Sequence, residues 1–156
     1  LGPVRGWDAG LGPRALLACP PGELHDVSLV MFGLALRRRG WRVTFLGADT
    51  PLEDLFATKE RIEARLTVLF APNWDGYRAL VPELAAKAGR SIALGGATAG
   101  PIAEAAGCRW LRGDPVAAAE EVTRELAAGP GSPSTGEEAK RRAARKLEDE
   151  RSAGRG

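Results

Sequence analysis

Ala15-Leu16-Leu17-Ala18-Cys19-Pro20-Pro21-Gly22-Glu23-Leu24-His25-Asp26 is the stretch on which the reading of this chain turns. Its first five residues make an unbroken apolar run, the pattern of a strand covered on both faces, and from Val27 to about Arg38 the apolar residues recur at helical spacing. Between strand and helix lies a short loop that holds the only histidine in 156 residues. An imidazole coordinates metals and titrates near neutral pH, and this one stands just past the end of a first strand. In open α/β sheets, ligands bind at that edge.

Working outward, strand and helix patterns alternate. Gly40 stops the first helix, and Trp41 to Gly47 reads as a second strand. Asp49-Thr50-Pro51 opens a second helix, with Thr50 as its N-cap and the proline at the first helical position, where a missing N–H costs nothing. Leu66 to Ala71 is a third strand, and its continuous apolar run suits a central parallel position. A third helix is predicted from about Gly76 to Ala88, interrupted by Pro82 and ended by Gly89. Ser91 to Leu94 forms a fourth strand running into Gly95-Gly96, a short helix follows Pro101 and stops at Gly107, and Cys108 to Leu111 is a shorter fifth strand. Asp114 caps a last helix over 115–128. Alternation of this kind predicts an α/β fold, a five-stranded, parallel, doubly wound sheet of flavodoxin-like (Rossmann-like) strand order.

Composition sets the outer limits. Residues 1–13 are rich in glycine and proline around Trp7 and read as a linker, 14–128 as the α/β domain, and 129–156 as a disordered charged tail with too few apolar groups to offset its ordering entropy. The chain starts on Leu1 and is read as part of a longer protein. A net charge of +2, from 22 basic and 20 acidic residues, gives no strong field for nucleic acid or membrane. Lys140, Arg141, Arg142, Arg145 and Lys146 share their segment with Glu137, Glu138, Glu148, Asp149 and Glu150, which is the pattern of a solvated charged face. Cys19 and Cys108 lack metal-type spacing and read as small buried residues. With no run of about 18 apolar residues and no signal segment, a cytoplasmic protein is expected.

The loops at the carboxyl ends of the strands narrow the chemistry by what they lack. Pro20-Pro21-Gly22-Glu23 is not the G-x-G-x-x-G that a dinucleotide pyrophosphate needs. The third strand ends in Phe70-Ala71-Pro72-Asn73, without the aspartate of a phosphate-accepting receiver. A flavin phosphate would want Ser, Thr and backbone N–H groups in the first loop. What the loops offer is one imidazole, with Glu23 two residues before it and Asp26 beside it, and a Gly-Gly pair where a flat group could approach the backbone. The two acids suit either a hydrogen bond that orients the histidine or the first turn of the helix, where its dipole favours them. One histidine cannot hold a bare ion tightly, but it can serve as axial ligand to a metal held in a macrocycle.

These residues resemble the cobalamin-binding domain, whose fingerprint is D/E-x-H-x-x-G, then S-x-L after the third strand, then G-G after the fourth. Glu23-Leu24-His25 matches the first part and Gly95-Gly96 the last. GELHD, FLGADTPLEDL (45–55) and ALGGATAGP (93–101) look closest to the C-terminal domains of MerR-type cobalamin-dependent transcriptional regulators, including the light-sensing ones, over about residues 14–128. The resemblance implies adenosylcobalamin or methylcobalamin as cofactor, His25 as the cobalt ligand and Glu23 as its orienting partner. It also implies that Leu24, Asp26, Ser28, Ala71, Asn73, Gly95, Gly96 and Ala97 surround the cofactor, the glycines along the nucleotide channel. Ser28 replaces the fingerprint glycine, and the S-x-L serine is missing, with Asn73 as a substitute donor. DNA would be reached through a helix-turn-helix absent from this chain; a homo-oligomer is compatible, and no membrane partner or catalytic residue is implied. Two further readings stay open: a corrinoid carrier domain of a methyltransferase or mutase, and a flavodoxin-like domain that has lost its ligand.

Overall fold

The computed structural model describes residues 9–88 and 91–129, so Trp7, Gly89 and the charged segment past residue 129 lie outside it. Strands β1 (Arg14–Ala18), β2 (Arg42–Gly47), β3 (Leu66–Phe70), β4 (Ile92–Gly95) and β5 (Arg109–Leu111) lie in the order β2-β1-β3-β4-β5. Each neighbouring pair is parallel, with Ala18 opposite Leu69 and Phe70 opposite Gly95 at the carboxyl ends. The flavodoxin-like order is therefore present, and its topological switch point falls between β1 and β3. The helices are α1 (Val27–Arg38), α2 (Leu52–Ile62), α3 (Asp75–Arg78), α4 (Val81–Lys87), α5 (Gly100–Ala106) and α6 (Pro115–Ala128). The chain divides into compact units Leu1–Glu121 and Val122–Gly156; of the second, only the last turns of α6 and residue 129 are described.

Strand side chains alternate between faces, and this alternation builds two cores. Leu16, Ala18, Leu69, Ile92 and Leu94 pack with Leu52 and Leu55 of α2, Leu84 of α4 and Ala103 of α5. Their alternate neighbours Leu17, Val68 and Ala93 are buried on the other face, and Leu29, Phe32 and Leu36 of α1 are buried as well. Each leucine so buried contributes about 1.5–3 kcal/mol against leaving it in water.

Three local readings need correction. The helix expected from Gly76 is two helices, because Pro82 has no N–H to continue the first and instead sits in the first turn of α4. Thr50 is not the cap of α2: Pro51 holds that position, and the Thr50 hydroxyl donates to the Gly47 carbonyl at 3.1 Å. β1 begins at Arg14 and ends at Ala18, since the ladder shifts there and the Cys19 N–H goes to the Gly47 carbonyl at 2.8 Å. The Asp114 cap holds, with Oδ1 accepting the N–H groups of Val116 and Ala117 at 2.9 and 3.0 Å. Within the stretch read as a linker, the Pro13 carbonyl accepts the Arg42 N–H at 2.9 Å.

Gly96 and Gly107 both have positive φ, +126° and +67°. A Cβ on Gly96 would lie 2.0 Å from the Ala71 carbonyl oxygen, whereas one on Gly107 meets nothing within 4 Å. Gly107→Ala is expected to lower the unfolding free energy by about 1 kcal/mol, from backbone strain alone. Gly96→Ala adds a backbone clash and should cost about 3 kcal/mol or more. Urea titration of the two variants checks the difference.

Candidate ligand-binding site

The loop after β1 is held by its own backbone and by the loop after β2. Glu23 N–H donates to the Pro20 carbonyl at 3.0 Å, and the Glu23 carbonyl accepts the Asp49 N–H at 2.9 Å. Asp49 returns the contact, its Oδ1 accepting the Gly22 N–H at 2.7 Å. To do so Asp49 adopts a left-handed backbone with φ of 48°, a conformation that Asp reaches more readily than most residues. Thr50 N–H closes the pair of loops on the Cys19 carbonyl at 3.0 Å.

This folding turns Glu23 inward until it is 9% exposed. One carboxylate oxygen, Oε1, accepts both the backbone N–H and the Nδ1–H of His25, each at 2.7 Å. Burial pushes the carboxyl's pKa up, but the hydrogen bonds from His25 outweigh it and leave the value below the ordinary 4.5. An ionised carboxylate only accepts, so Nδ1 carries a proton, and in the neutral form of the ring the lone pair is on Nε2. The His25 side chain is 84% exposed, so that lone pair is open to a ligand. Of the two readings of the acids, Glu23 takes the orienting one, since α1 has no acidic residue in its first turn. Asp26 is the N-cap residue, and its carbonyl accepts the Val30 N–H at 2.9 Å.

Beside this loop, a cavity of about 520 Å³ opens between α1, the ends of β3 to β5 and the start of α6. Ser28, Gly95, Gly96 and Ala97 line it, together with the apolar Leu29, Phe32, Phe70 and Leu111. Room exists because β4 ends in glycine: a Cβ on Gly95 would come within 3.1 Å of the Phe70 ring. Both glycine carbonyls are bound, Gly95 by the Tyr77 hydroxyl at 2.6 Å and Gly96 by the Trp110 Nε1–H at 3.2 Å.

The remaining expected residues lie around this centre. Leu24 is exposed next to His25, and Asn73 is exposed on the loop after β3. Ala71 is buried, its N–H donating to the Tyr77 hydroxyl at 2.8 Å. Neither Ala71 nor Asn73 lines the cavity. Cys19 is a buried thiol whose pKa burial pushes up to about 12, with the charges of Asp26 and Glu23 adding to the effect, so it stays protonated and unreactive. Among the described residues, no group of three or more His, Cys, Asp and Glu stands together to hold a metal ion.

Asp49, Tyr77 and Trp110 were not foreseen as parts of the site. Tyr77 is the only tyrosine of the chain, yet its hydroxyl joins carbonyls of β3 and β4 through a contact that no spacing rule signals. Asp49 looked like part of a helix start, because Asp-Thr-Pro is a common opening. Trp110 carries no spacing signal of its own; its indole lies against Gly100, where a Cβ would be 2.8 Å from the ring.

No family model matches the chain. Over 47 residues it is 63% identical to the HTH-type transcriptional repressor CarA of Myxococcus xanthus, a match that spans 30% of this chain and 16% of that protein. Among solved structures, it resembles a novel cobalamin-binding protein from Desulfitobacterium hafniense DCB-2, at TM-score 0.62 and 20% identity, over 72% of this chain and 58% of that one. It also resembles the methanol:cobalamin methyltransferase complex MtaBC from Methanosarcina barkeri, at TM-score 0.63 and 18% identity, over 75% and 47% of the two chains. The Methanosarcina barkeri monomethylamine corrinoid protein gives TM-score 0.62 and 20% identity, over 72% and 57%. These structural likenesses are of fold, and that fold is the one the loop motifs indicated. No helix among the described residues is long and apolar enough to cross a membrane.

The lowered Glu23 pKa ties stability to pH. The folded state binds this proton more weakly than the unfolded state does, so its stabilising contribution is full above pH 4.5 and is lost as pH falls through the lower folded value. Glu23→Gln is expected to flatten that acid limb and to lower stability near neutrality. Denaturant titrations of both proteins from acid to neutral pH measure it.

Proposed function

We propose that this chain is a cobalamin-binding sensory domain of a MerR-type transcriptional regulator, with His25 as the lower axial ligand of the cobalt. The observation that carries the reading is the Glu23–His25 pair: an exposed imidazole whose Nδ1 is held by a buried carboxylate, at the carboxyl edge of a parallel sheet. A carboxylate on the far nitrogen fixes the tautomer and raises the basicity of Nε2, which is what a single protein ligand to a metal requires. The adjoining cavity, at about 520 Å³, is of small-molecule size and fits a planar base with its sugar. When bound, cobalamin supplies a cobalt centre whose upper ligand is exchangeable.

This chain's own residues hold and orient the group. His25 presents Nε2, Glu23 retains the proton on Nδ1, and Leu24 and Asp26 flank the imidazole in the same loop. Ser28, Gly95, Gly96 and Ala97 form the walls of the nucleotide channel. Asn73 is exposed on the loop after β3, and Ala71 is buried where that loop begins. The match to a repressor supports a regulator acting in the cytoplasm, with DNA reached through a helix-turn-helix outside these residues and with self-association as its output. The likeness to a methyltransferase complex and a corrinoid protein supports the second reading, a corrinoid carrier, at the level of fold.

Titrating the chain with hydroxocobalamin and adenosylcobalamin in the dark, followed by absorbance, tests the reading. The expected result is conversion to the base-off, histidine-bound spectrum, abolished in His25→Ala. Binding with no change in the cobalt spectrum, or a spectrum unaltered in His25→Ala, would overturn the role of His25. In the cobalamin-free protein, the one imidazole should show ¹⁵N shifts of the Nδ1–H tautomer, and Glu23→Gln should move them.

A further inference from the structure

We propose that Arg112 receives the phosphodiester of a nucleotide-bearing corrinoid and so selects such corrinoids over those without a tail. This rests on the reading of the cavity as the nucleotide channel. The cavity walls are largely apolar, with Leu29, Phe32, Phe70 and Leu111 among them. Such a space accepts a flat heterocycle, but the phosphodiester attached to it is an anion, and an anion leaving water needs a cation or N–H donors. Arg112 is the only charged residue among those lining the cavity.

Its guanidinium is also placed. The Arg112 Cζ lies 4.6 Å from the centroid of the Trp110 ring. Trp110 is fixed in turn by its bond to the Gly96 carbonyl at 3.2 Å and by its packing on Gly100. A guanidinium held over an indole face has its N–H groups at the edge of its own plane, where they can form a two-point contact with phosphate oxygens. Asp114 is the acid nearest in sequence, and its Oδ1 is already taken up by the Val116 and Ala117 N–H groups. Among the described residues, no ion pair joins it to Arg112. The cation is thus placed at the cavity through Trp110, whose indole is tied to the Gly96 carbonyl in the cavity wall.

The test compares two corrinoids on the full chain and its variants: hydroxocobalamin, which carries the nucleotide tail, and diaquacobinamide, which has the same ring and no tail. Binding is followed by the histidine-dependent spectral change. Arg112→Gln is expected to weaken hydroxocobalamin about ten-fold and to leave diaquacobinamide unchanged. Arg112→Lys, which keeps the charge without the planar fork, should fall between. Equal weakening of both corrinoids would mark a structural role, and an unchanged hydroxocobalamin affinity would mean that Arg112 makes no contact; either result overturns the proposal while leaving the His25 reading intact. If the intact chain binds neither corrinoid, the reading of the cavity fails and this proposal falls with it.

Discussion

Glu23 keeps a negative charge at the end of β1 with nine-tenths of its surface out of water, and a charge placed there must be met by donors. Both donors come from one residue two positions later, so the carboxylate decides where His25 stands and which of its nitrogens is protonated. The loop that brings them together is held from the side by Asp49, in a left-handed conformation, whose side chain and N–H bind Gly22 and Glu23. An imidazole held in this way is placed in advance, and a ligand meets it without the entropy cost of ordering it. The only histidine of the chain is therefore positioned by a buried charge and a strained neighbour.

The second element of the site is a strand end made of missing atoms. Gly95 and Gly96 leave space against Phe70 and the Ala71 carbonyl that a methyl group would fill. Bare backbone at a sheet edge has carbonyls that need partners, and Tyr77 and Trp110 provide them. Burial raises the Tyr77 pKa, so its hydroxyl stays protonated and remains a donor. The cavity beside these glycines is a by-product of that arrangement, and Arg112 is the charged residue among those that line it.

Much of the fold was legible because strands and helices of a parallel sheet announce themselves locally. Unbroken apolar runs such as Leu16-Leu17 and Val68-Leu69 mark central strands, and Gly40, Gly107 and Asp114 mark helix ends through backbone conformation and capping. Where the local rules misled, another contact had claimed the group. Thr50 has the chemistry of a cap but spends its hydroxyl on the Gly47 carbonyl, three residues before it in the loop after β2. Pro82 was read as an interruption within one helix; the chain instead ends α3 at Arg78 and starts again, so the proline lies where no N–H is needed.

By itself the sequence determined the alternation of strands and helices, the position of His25 just past the first strand, and the glycine pair after the fourth, because each depends on neighbours within a few residues. Only the tertiary structure decided that Asp49 braces the loop, and that Tyr77, Trp110 and Arg112 gather around the end of β4. Those partners are separated along the chain by up to tens of residues. Hydrogen bonds and ring contacts between them depend on distances of a few ångströms that only the packed sheet sets.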